Sequence, residues 1–101
     1  IGDGASATAT YGIALGDGSL ANRENVLSIG RAGGERQIIN VAAGTAATDA
    51  VNVSQLTGVT NALGGNARVG ADGSIVQPRY NVAGTDYHNV GDALDALAAN
   101  G

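Results

Sequence analysis

Residues 35–56 read ERQIINVAAGTAATDAVNVSQL, a stretch whose pattern changes from that of a strand to that of a helix. Residues 36–41 are rich in β-branched side chains and predict an extended segment. Residues 42–47 contain only glycine, alanine and threonine and predict a loop. Thr48 and Asp49 then predict the start of a helix, because a threonine hydroxyl caps free backbone N–H groups and an early carboxylate offsets the helix dipole.

The predicted helix carries a narrow apolar stripe and should end near Leu63, where two glycines follow. Spacings of three and four allow two frames for this stripe. One frame contains Val53, Leu56, Thr60 and Leu63, and the other contains Leu56, Val59 and Leu63. The sequence leaves both frames open.

A second helix is predicted from Val90 to Ala99, with Asn89 as its cap and a stripe of Val90, Leu94 and Leu97. Helices of this length are marginal alone in water. We therefore expect both stripes to be covered by the same stripes on identical chains. The alternative is that the two helices pack on each other within one small domain.

The composition of the 101-residue chain offers little for an independent core. The chain has 17 glycines and three tyrosines but no Phe, Trp, Met or Cys. Because large side chains supply most of the area that a core buries, burial against other copies is expected. The lack of cysteine excludes a disulfide framework, and a net charge of −4 argues against nucleic acid and anionic membrane as partners. The chain lacks an initiating Met and starts within a pattern, so it is interpreted as a piece of a longer protein.

Residues 1–28 contain a repeat with a period of 14 residues. IGDGASATATYGIA aligns with LGDGSLANRENVLS, and the frame opens a third time at Ile29. A period this short predicts coils of a β-solenoid, each with two short strands and a turn marked by Gly-Asp-Gly. The side chains predicted to face inward are Ala5, Ala7 and Ala9, together with the equivalent residues Ile1, Leu15 and Ile29.

Residues 66–88 predict short strands. Asp72-Gly73 is a hairpin signal between residues 68–69 and 74–76. Pro78 limits the next strand to an edge or a bend, and Gly84-Thr85 predicts a further turn. The flanking tyrosines, Tyr80 and Tyr87, are expected to form a local core, with ligand binding as the alternative.

Candidates for catalysis or metal binding are few. His88 is the only histidine, so a metal site would need three copies on an axis, and a packed or hydrogen-bonded role is favoured. Asp92 and Asp95 share a helix face by spacing, but the helix dipole explains the first. Calcium-binding Gly/Asp coils repeat every nine residues, unlike the coils predicted here. No enzyme activity, cofactor or metal is therefore predicted.

The residues Arg36-Gln37-Ile38, Val41–Gly44 and Thr48–Leu56 resemble the neck motif of trimeric autotransporter adhesins of Gram-negative bacteria. The repeat resembles the head repeats that precede such necks, and residues 80–94 resemble a β-to-α connector or small head-type domain. The resemblance implies a homotrimer that is mainly β with short α. Its expected parts are a left-handed parallel β-roll head (1–34), a neck with a short trimeric coiled coil (35–65), and a small β unit leading into a second helix (66–101).

The resemblance also implies contacts between chains in the neck. Arg36 and Gln37 would lie where the neck begins, and Gly44 in a loop that wraps around the neighbouring chain. Polar contacts are expected from Asp49, Asn52 and Gln55. Burial near the trimer axis is expected for Val51, Val53 and Leu56.

Two functions follow from the resemblance. One is a bacterial surface adhesin that displays a trimeric head for attachment to host cells or extracellular matrix. The other is a purely structural stalk or fibre element without a ligand. The implied location is extracellular, on the bacterial surface, with the outer-membrane anchor outside this chain. Neither nucleic acid nor membrane contact by this chain is expected.

Overall fold

In the computed structural model, which describes residues 1–100, the chain divides into two units, Ile1–Ile39 and Asn40–Gly101. The first unit has four short strands, β1 (Ser6–Ala7), β2 (Ile13–Ala14), β3 (Leu20–Ala21) and β4 (Leu27–Ser28). The second has two helices with two hairpins between them. Among residues 1–100, no helix is both long and apolar enough to cross a bilayer.

The strands of the first unit form two parallel ladders. β1 pairs with β3 and β2 pairs with β4, so that Ser6 lies opposite Leu20 and Ile13 lies opposite Leu27. Both pairs are 14 residues apart, which confirms the predicted period as one coil of chain. We call these two stacked coils, residues 1–28, the β-coil.

The inside of the β-coil admits only small side chains, namely Ala14, Ser19 and Ala21, which are buried. The stacked turns are equally tight. A Cβ at Gly2, where φ is +124°, would lie 2.6 Å from the carbonyl carbon of Gly16. Glycine is therefore required where one Gly-Asp-Gly turn meets the next.

The prediction that Ile1 and Leu15 face inward is wrong for the single chain. These side chains are 86% and 44% exposed, and Ala7 is also exposed. Ala5, Ala9 and Ile29 are half-buried. Because alanine and serine already fill the narrow interior, the large aliphatic side chains lie outside it.

The first helix, α1 (Val53–Leu63), begins later than predicted. Asn52 is its N-cap, and its side chain accepts from the Gln55 N–H at 3.2 Å. The Gln55 side chain accepts from the Asn52 N–H at 3.3 Å, which completes a capping box. The predicted end is confirmed, because Gly64 follows Leu63 with a φ of 65°. The predicted extended segment over 36–41 forms no strand within the described residues.

The predicted hairpin at Asp72-Gly73 is confirmed, and the further turn predicted at Gly84-Thr85 is observed one residue earlier, as the turn of a second hairpin. β5 (Arg68–Val69) pairs antiparallel with β6 (Ile75–Val76), and β7 (Tyr80–Val82) pairs with β8 (Thr85–Tyr87). The second hairpin turns at Ala83 and Gly84, whose φ angles of 51° and 89° are those of a twisted two-residue turn. The two tyrosines at its ends lie opposite each other and are half-buried, as expected for a local core.

The second helix, α2 (Val90–Asn100), has the predicted cap. The side-chain oxygen of Asn89 accepts from the Asp92 N–H at 2.8 Å. In the same first turn, the Asp92 carboxylate accepts from the Asn89 side chain at 2.8 Å. Helix capping therefore accounts for Asp92.

Candidate functional site

Residues 41–52, here called the neck loop, are held closed by side chains from the start of α1. The Gln55 side chain accepts from the Gly44 N–H at 2.9 Å and donates to the Gly44 carbonyl at 2.8 Å. The Asn52 amide donates to the Val41 carbonyl at 2.9 Å. We call the paired bonds between Gln55 and Gly44 the Gln55 clamp, because one side chain satisfies both backbone groups as a neighbouring strand would.

The neck loop also explains the glycine at its centre. A Cβ at Gly44 would lie 2.5 Å from the carbonyl oxygen of Ala50, closer than atoms can pack. Sequence reasoning placed Gly44 in a loop but missed the clamp. The spacing of Asn52 and Gln55 is that of a capping box and could have identified the start of α1, but it does not predict the bonds to Gly44.

Asp49 caps the neck loop instead of starting the helix. Its carboxylate accepts from the backbone N–H groups of Ala46 and Thr45, both at 3.0 Å, and from the Thr45 hydroxyl at 3.4 Å. The Ala46 N–H and then the Thr45 N–H hold the pKa of this carboxyl below its ordinary value. The ionised form of Asp49 is thus part of the closed loop.

Arg36 binds the free end of the β-coil. Its Nη1 donates to the Ile29 carbonyl at 2.7 Å and to the Ser19 hydroxyl at 2.9 Å. Its Nη2 donates to the Asp17 carbonyl at 2.5 Å. Two acceptors of the last coil and the carbonyl of Ile29, just after it, therefore share one planar guanidinium.

The position of Arg36 corresponds to a missing strand partner. In the first coil, the Asp3 carbonyl accepts from the backbone N–H of Gly18 at 2.9 Å. Asp17 is the repeat equivalent of Asp3, and its carbonyl accepts from Arg36 instead. The guanidinium therefore takes the place of the backbone donor that a further coil would supply, and it covers an open edge.

The polar residues that the resemblance places between chains have partners within this chain. Arg36, Asp49, Asn52 and Gln55 all hydrogen-bond inside their own unit. Gln37 is exposed. Contacts between chains from these five residues remain a prediction.

The apolar residues of the neck, by contrast, are uncovered. Val51, Val53 and Leu56 are exposed, and the exposed face continues along α1 through Val59 and Leu63. A groove of about 360 Å³ extends this surface to α2. It is lined by Ala62, Leu63, Tyr80, Val82, Val90, Ala93, Leu94 and Leu97. The second unit therefore presents one apolar band, and the Tyr80 hydroxyl at its side donates to the Leu63 carbonyl.

The remaining polar candidates have structural roles. His88 Nδ1 lies 3.1 Å from the Pro78 carbonyl oxygen, so the hydrogen-bonded role favoured from the sequence is observed. The Ser54 hydroxyl donates to the Asn52 side chain at 2.7 Å. Within the described part of the chain, no three His, Cys, Asp or Glu side chains are grouped to hold a metal ion.

Comparison with known proteins places this geometry in a family. Residues 37–77 match the family model for the coiled stalk of trimeric autotransporter adhesin. The chain is 53% identical over 73 residues to the trimeric autotransporter adhesin AtaA of Acinetobacter sp. (strain Tol 5), a match that covers 61% of this chain and 2% of AtaA. It is 49% identical over 67 residues to the autotransporter adhesin EhaG of Escherichia coli O157:H7, covering 62% of this chain and 4% of EhaG.

Two solved structures are similar. The C-terminal YadA-like domain of BPSL2063 from Burkholderia pseudomallei is 46% identical with a TM-score of 0.56, and the match covers 62% of this chain and 33% of that one. The C-terminal stalk of Acinetobacter sp. Tol 5 AtaA, fused to GCN4 adaptors, is 38% identical with a TM-score of 0.51. That match covers 71% of this chain and 23% of the other.

The coiled-stalk match and the two curated relatives point to one class of protein, the autotransporter adhesins. Together these comparisons support the identity of the chain as part of a trimeric autotransporter adhesin. It spans only 2% and 4% of the two curated relatives described above.

Proposed function

We propose that this chain is a segment of a bacterial surface fibre in which three identical copies surround one axis. Residues 1–34 would form a left-handed β-roll head, residues 35–65 the neck and coiled coil, and residues 66–101 a connector into the next helix. The fibre would be anchored in the outer membrane by another part of the protein. Its role is to hold adhesive regions away from the cell.

One observation supports the proposed trimer. The chain has a very small core and, beside it, a long apolar band that the chain itself leaves exposed. Within residues 1–100, the buried apolar side chains are those of four alanines, Ala14, Ala21, Ala67 and Ala93, and the small ring of Pro78. Ordering the backbone costs about 1–2 kcal/mol per residue, and buried apolar area returns about 25 cal/mol per Å². These side chains return far too little, so the exposed leucines and valines must supply the rest by packing against other copies.

Sedimentation equilibrium tests this proposal directly. The chain at micromolar concentration should have three times the 9.8 kDa mass of one copy. Leu94→Asp would place three carboxylates on the proposed axis and should shift the mass toward one copy. Ala99→Asp, at an exposed position on the face of α2 opposite the apolar stripe, is the matched control and should keep the trimer. A folded monomer of the unaltered chain would overturn the proposal.

Attachment by the first unit is a second candidate function, and Tyr11 favours it. This tyrosine is 82% exposed and has a φ of 58°, a left-handed conformation that is costly for an aromatic residue. The equivalent residue of the next coil is Asn25, which has a φ of 59° and suits this conformation. Backbone strain that asparagine would relieve is retained at Tyr11, as is common at binding sites.

Attachment can be separated from stability by Tyr11→Asn. This variant should melt at the same temperature as the unaltered chain or higher, because it relieves strain. If Tyr11 contacts a ligand, binding of the trimer to immobilised extracellular matrix proteins should fall several-fold. Equal binding by the two proteins would leave the structural stalk as the function of this segment.

A further inference from the structure

We propose that the side chains of α1 that face the trimer axis are Leu56, Val59 and Leu63, and that Thr60 faces away from that axis. This inference rests on the trimer proposed above. It chooses between the two frames that the spacing of apolar residues permits. We call Leu56, Val59 and Leu63 the α1 seam.

The first argument is the burial of Thr60 within its own chain. Thr60 is 2% exposed, and its hydroxyl donates to the Thr57 carbonyl at 2.9 Å. The same chain supplies its cover, because α1 packs against β5, next to the buried Ala67. A side chain already covered by its own hairpin cannot also occupy the seat where three helices meet.

The second argument is the exposure of the neighbouring residue. Val59 is 58% exposed, although it is one position from a fully covered side chain. Leu56 and Leu63 lie three residues before it and four residues after it, which is the spacing of a coiled-coil seam. Consecutive helical residues point about 100° apart, so a helix that turns Thr60 to its own hairpin turns Val59 away from it.

The lack of charge on the α1 seam, and its continuity with the stripe of α2, indicate that another copy of this chain packs against it. α1 has no charged residue, and on α2 the residues Asp92 and Asp95 lie off the stripe of Val90, Leu94 and Leu97. Identical copies carry identical charges, so a shared axis must be free of them. The α1 seam also joins the α2 stripe, because Leu63 lines the same groove as Leu94 and Leu97. One uncharged band therefore runs through both helices, as three equivalent chains require.

Disulfide cross-linking of engineered cysteines can show which of the two frames faces the trimer axis, since the chain contains no cysteine of its own. Val59→Cys should place three thiols around the axis, close enough for oxidation to a disulfide. Only two of three thiols can pair, so about two thirds of the chains should run as dimers on a non-reducing gel. Thr60→Cys, its neighbour, should give less than about one tenth of this cross-linking, because its thiol lies under its own hairpin.

Two further variants protect the test against misfolding of Thr60→Cys. Leu56→Cys lies at a position that both frames share, so it is the positive control and should cross-link. Val53→Cys tests the rejected frame at an exposed position and should not. Circular dichroism checks that each variant retains its helices, and sedimentation gives its mass before oxidation.

Each outcome has one meaning. Cross-linking at residues 56 and 59 but not at 53 and 60 supports the α1 seam. Cross-linking at 53 or 60 without 59 overturns it in favour of the other frame, and a trimer that cross-links at none of them also overturns it. A monomeric mass for the unaltered chain would reject the trimer itself. That result would contradict the proposed function and not the choice of frame.

Discussion

Arg36 shows how a single side chain ends a repeat whose sequence frame opens once more. After the second coil the chain turns back sharply, and the Gly34 N–H donates to the Arg31 carbonyl at 2.8 Å. No third parallel strand pair follows in the described residues, and the guanidinium binds acceptors that are left open. Repeat proteins need such caps because an uncovered coil end exposes unpaired backbone groups.

Arg36→Lys should destabilise the first unit although the charge is kept. An ammonium is a point charge and lacks the planar fork that bonds Ile29, Ser19 and Asp17 together. The expected loss is about 1 kcal/mol per copy, the net value of a typical hydrogen bond. Thermal unfolding followed by circular dichroism checks this, with Arg23→Lys at an exposed position of the same unit as the control. Equal melting of the two lysine variants would contradict the capping role.

Asp49 should make the neck loop sensitive to acid. Its pKa is lowered in the folded chain, mainly by the Ala46 and Thr45 N–H groups, so its stabilising contribution is present above the pKa of the unfolded chain. That contribution is lost as the pH falls through the lowered pKa, which places the loss below about pH 4. Urea unfolding between pH 7 and pH 2 should show that Asp49→Asn is less stable at neutral pH and loses less on acidification.

A separate carboxylate provides the control for this titration. The Ser74 hydroxyl, and then the Ser74 N–H, lower the pKa of Asp72. Ser74→Ala should therefore raise the pKa of Asp72 and leave that of Asp49 unchanged in a carbon-detected NMR titration. A shift of both carboxyls would show that the neck loop and the first hairpin are not independent.

At the scale of the element, the start of α1 depends on two competing caps. Thr48 and Asp49 have the residue types of a helix start, but Asp49 is engaged with the N–H groups of Thr45 and Ala46. Asn52 and Gln55 then form the reciprocal cap that starts the helix. Sequence patterns rank residue types at a cap, whereas the loop geometry decided which of two adequate caps was used.

The Gln55 clamp predicts a local and measurable effect. Gln55→Ala removes three hydrogen bonds and leaves the partly buried Gly44 groups unpaired, which should cost about 1–3 kcal/mol per copy. The Gly44 amide should then exchange with solvent much faster in hydrogen-exchange NMR. Thr57→Ala, an exposed position on the same helix, should leave that exchange rate unchanged. A protected Gly44 amide in Gln55→Ala would show that other contacts hold the loop.

At the scale of the whole molecule, local signals predicted the fold better than they predicted its packing. The 14-residue period, the first hairpin, the end of α1 and the cap of α2 were predicted, because glycine, turn residues and repeats act over a few positions. The sequence wrongly predicted that Ile1 and Leu15 face inward, and it placed the start of α1 too early. These depend on how much space a coil encloses and on side chains that cross a loop.

The stability of the whole molecule should depend on its concentration. If most apolar burial lies between copies, unfolding is coupled to dissociation, and the melting temperature rises with chain concentration. Calorimetry over a hundredfold range of concentration tests this. Fusion to a trimeric coiled-coil adaptor should remove the dependence, because the copies then stay together. A melting temperature that does not change with concentration in the unfused chain would mean that each copy folds alone.

The Gln55 clamp also gives the proposed fibre a reserve of length. The clamp joins Gly44 to Gln55, so tension along the backbone pulls on both of its hydrogen bonds at the same time. Once these hydrogen bonds break, the 11 steps of chain between the two residues can extend to about 3.3–3.6 Å each, which is roughly 36–40 Å in all. Under tension, such a fibre would first lengthen by the opening of the neck loop, and its helices would unfold only at higher force. Single-molecule stretching of the trimer should record that step at a lower force in Gln55→Ala.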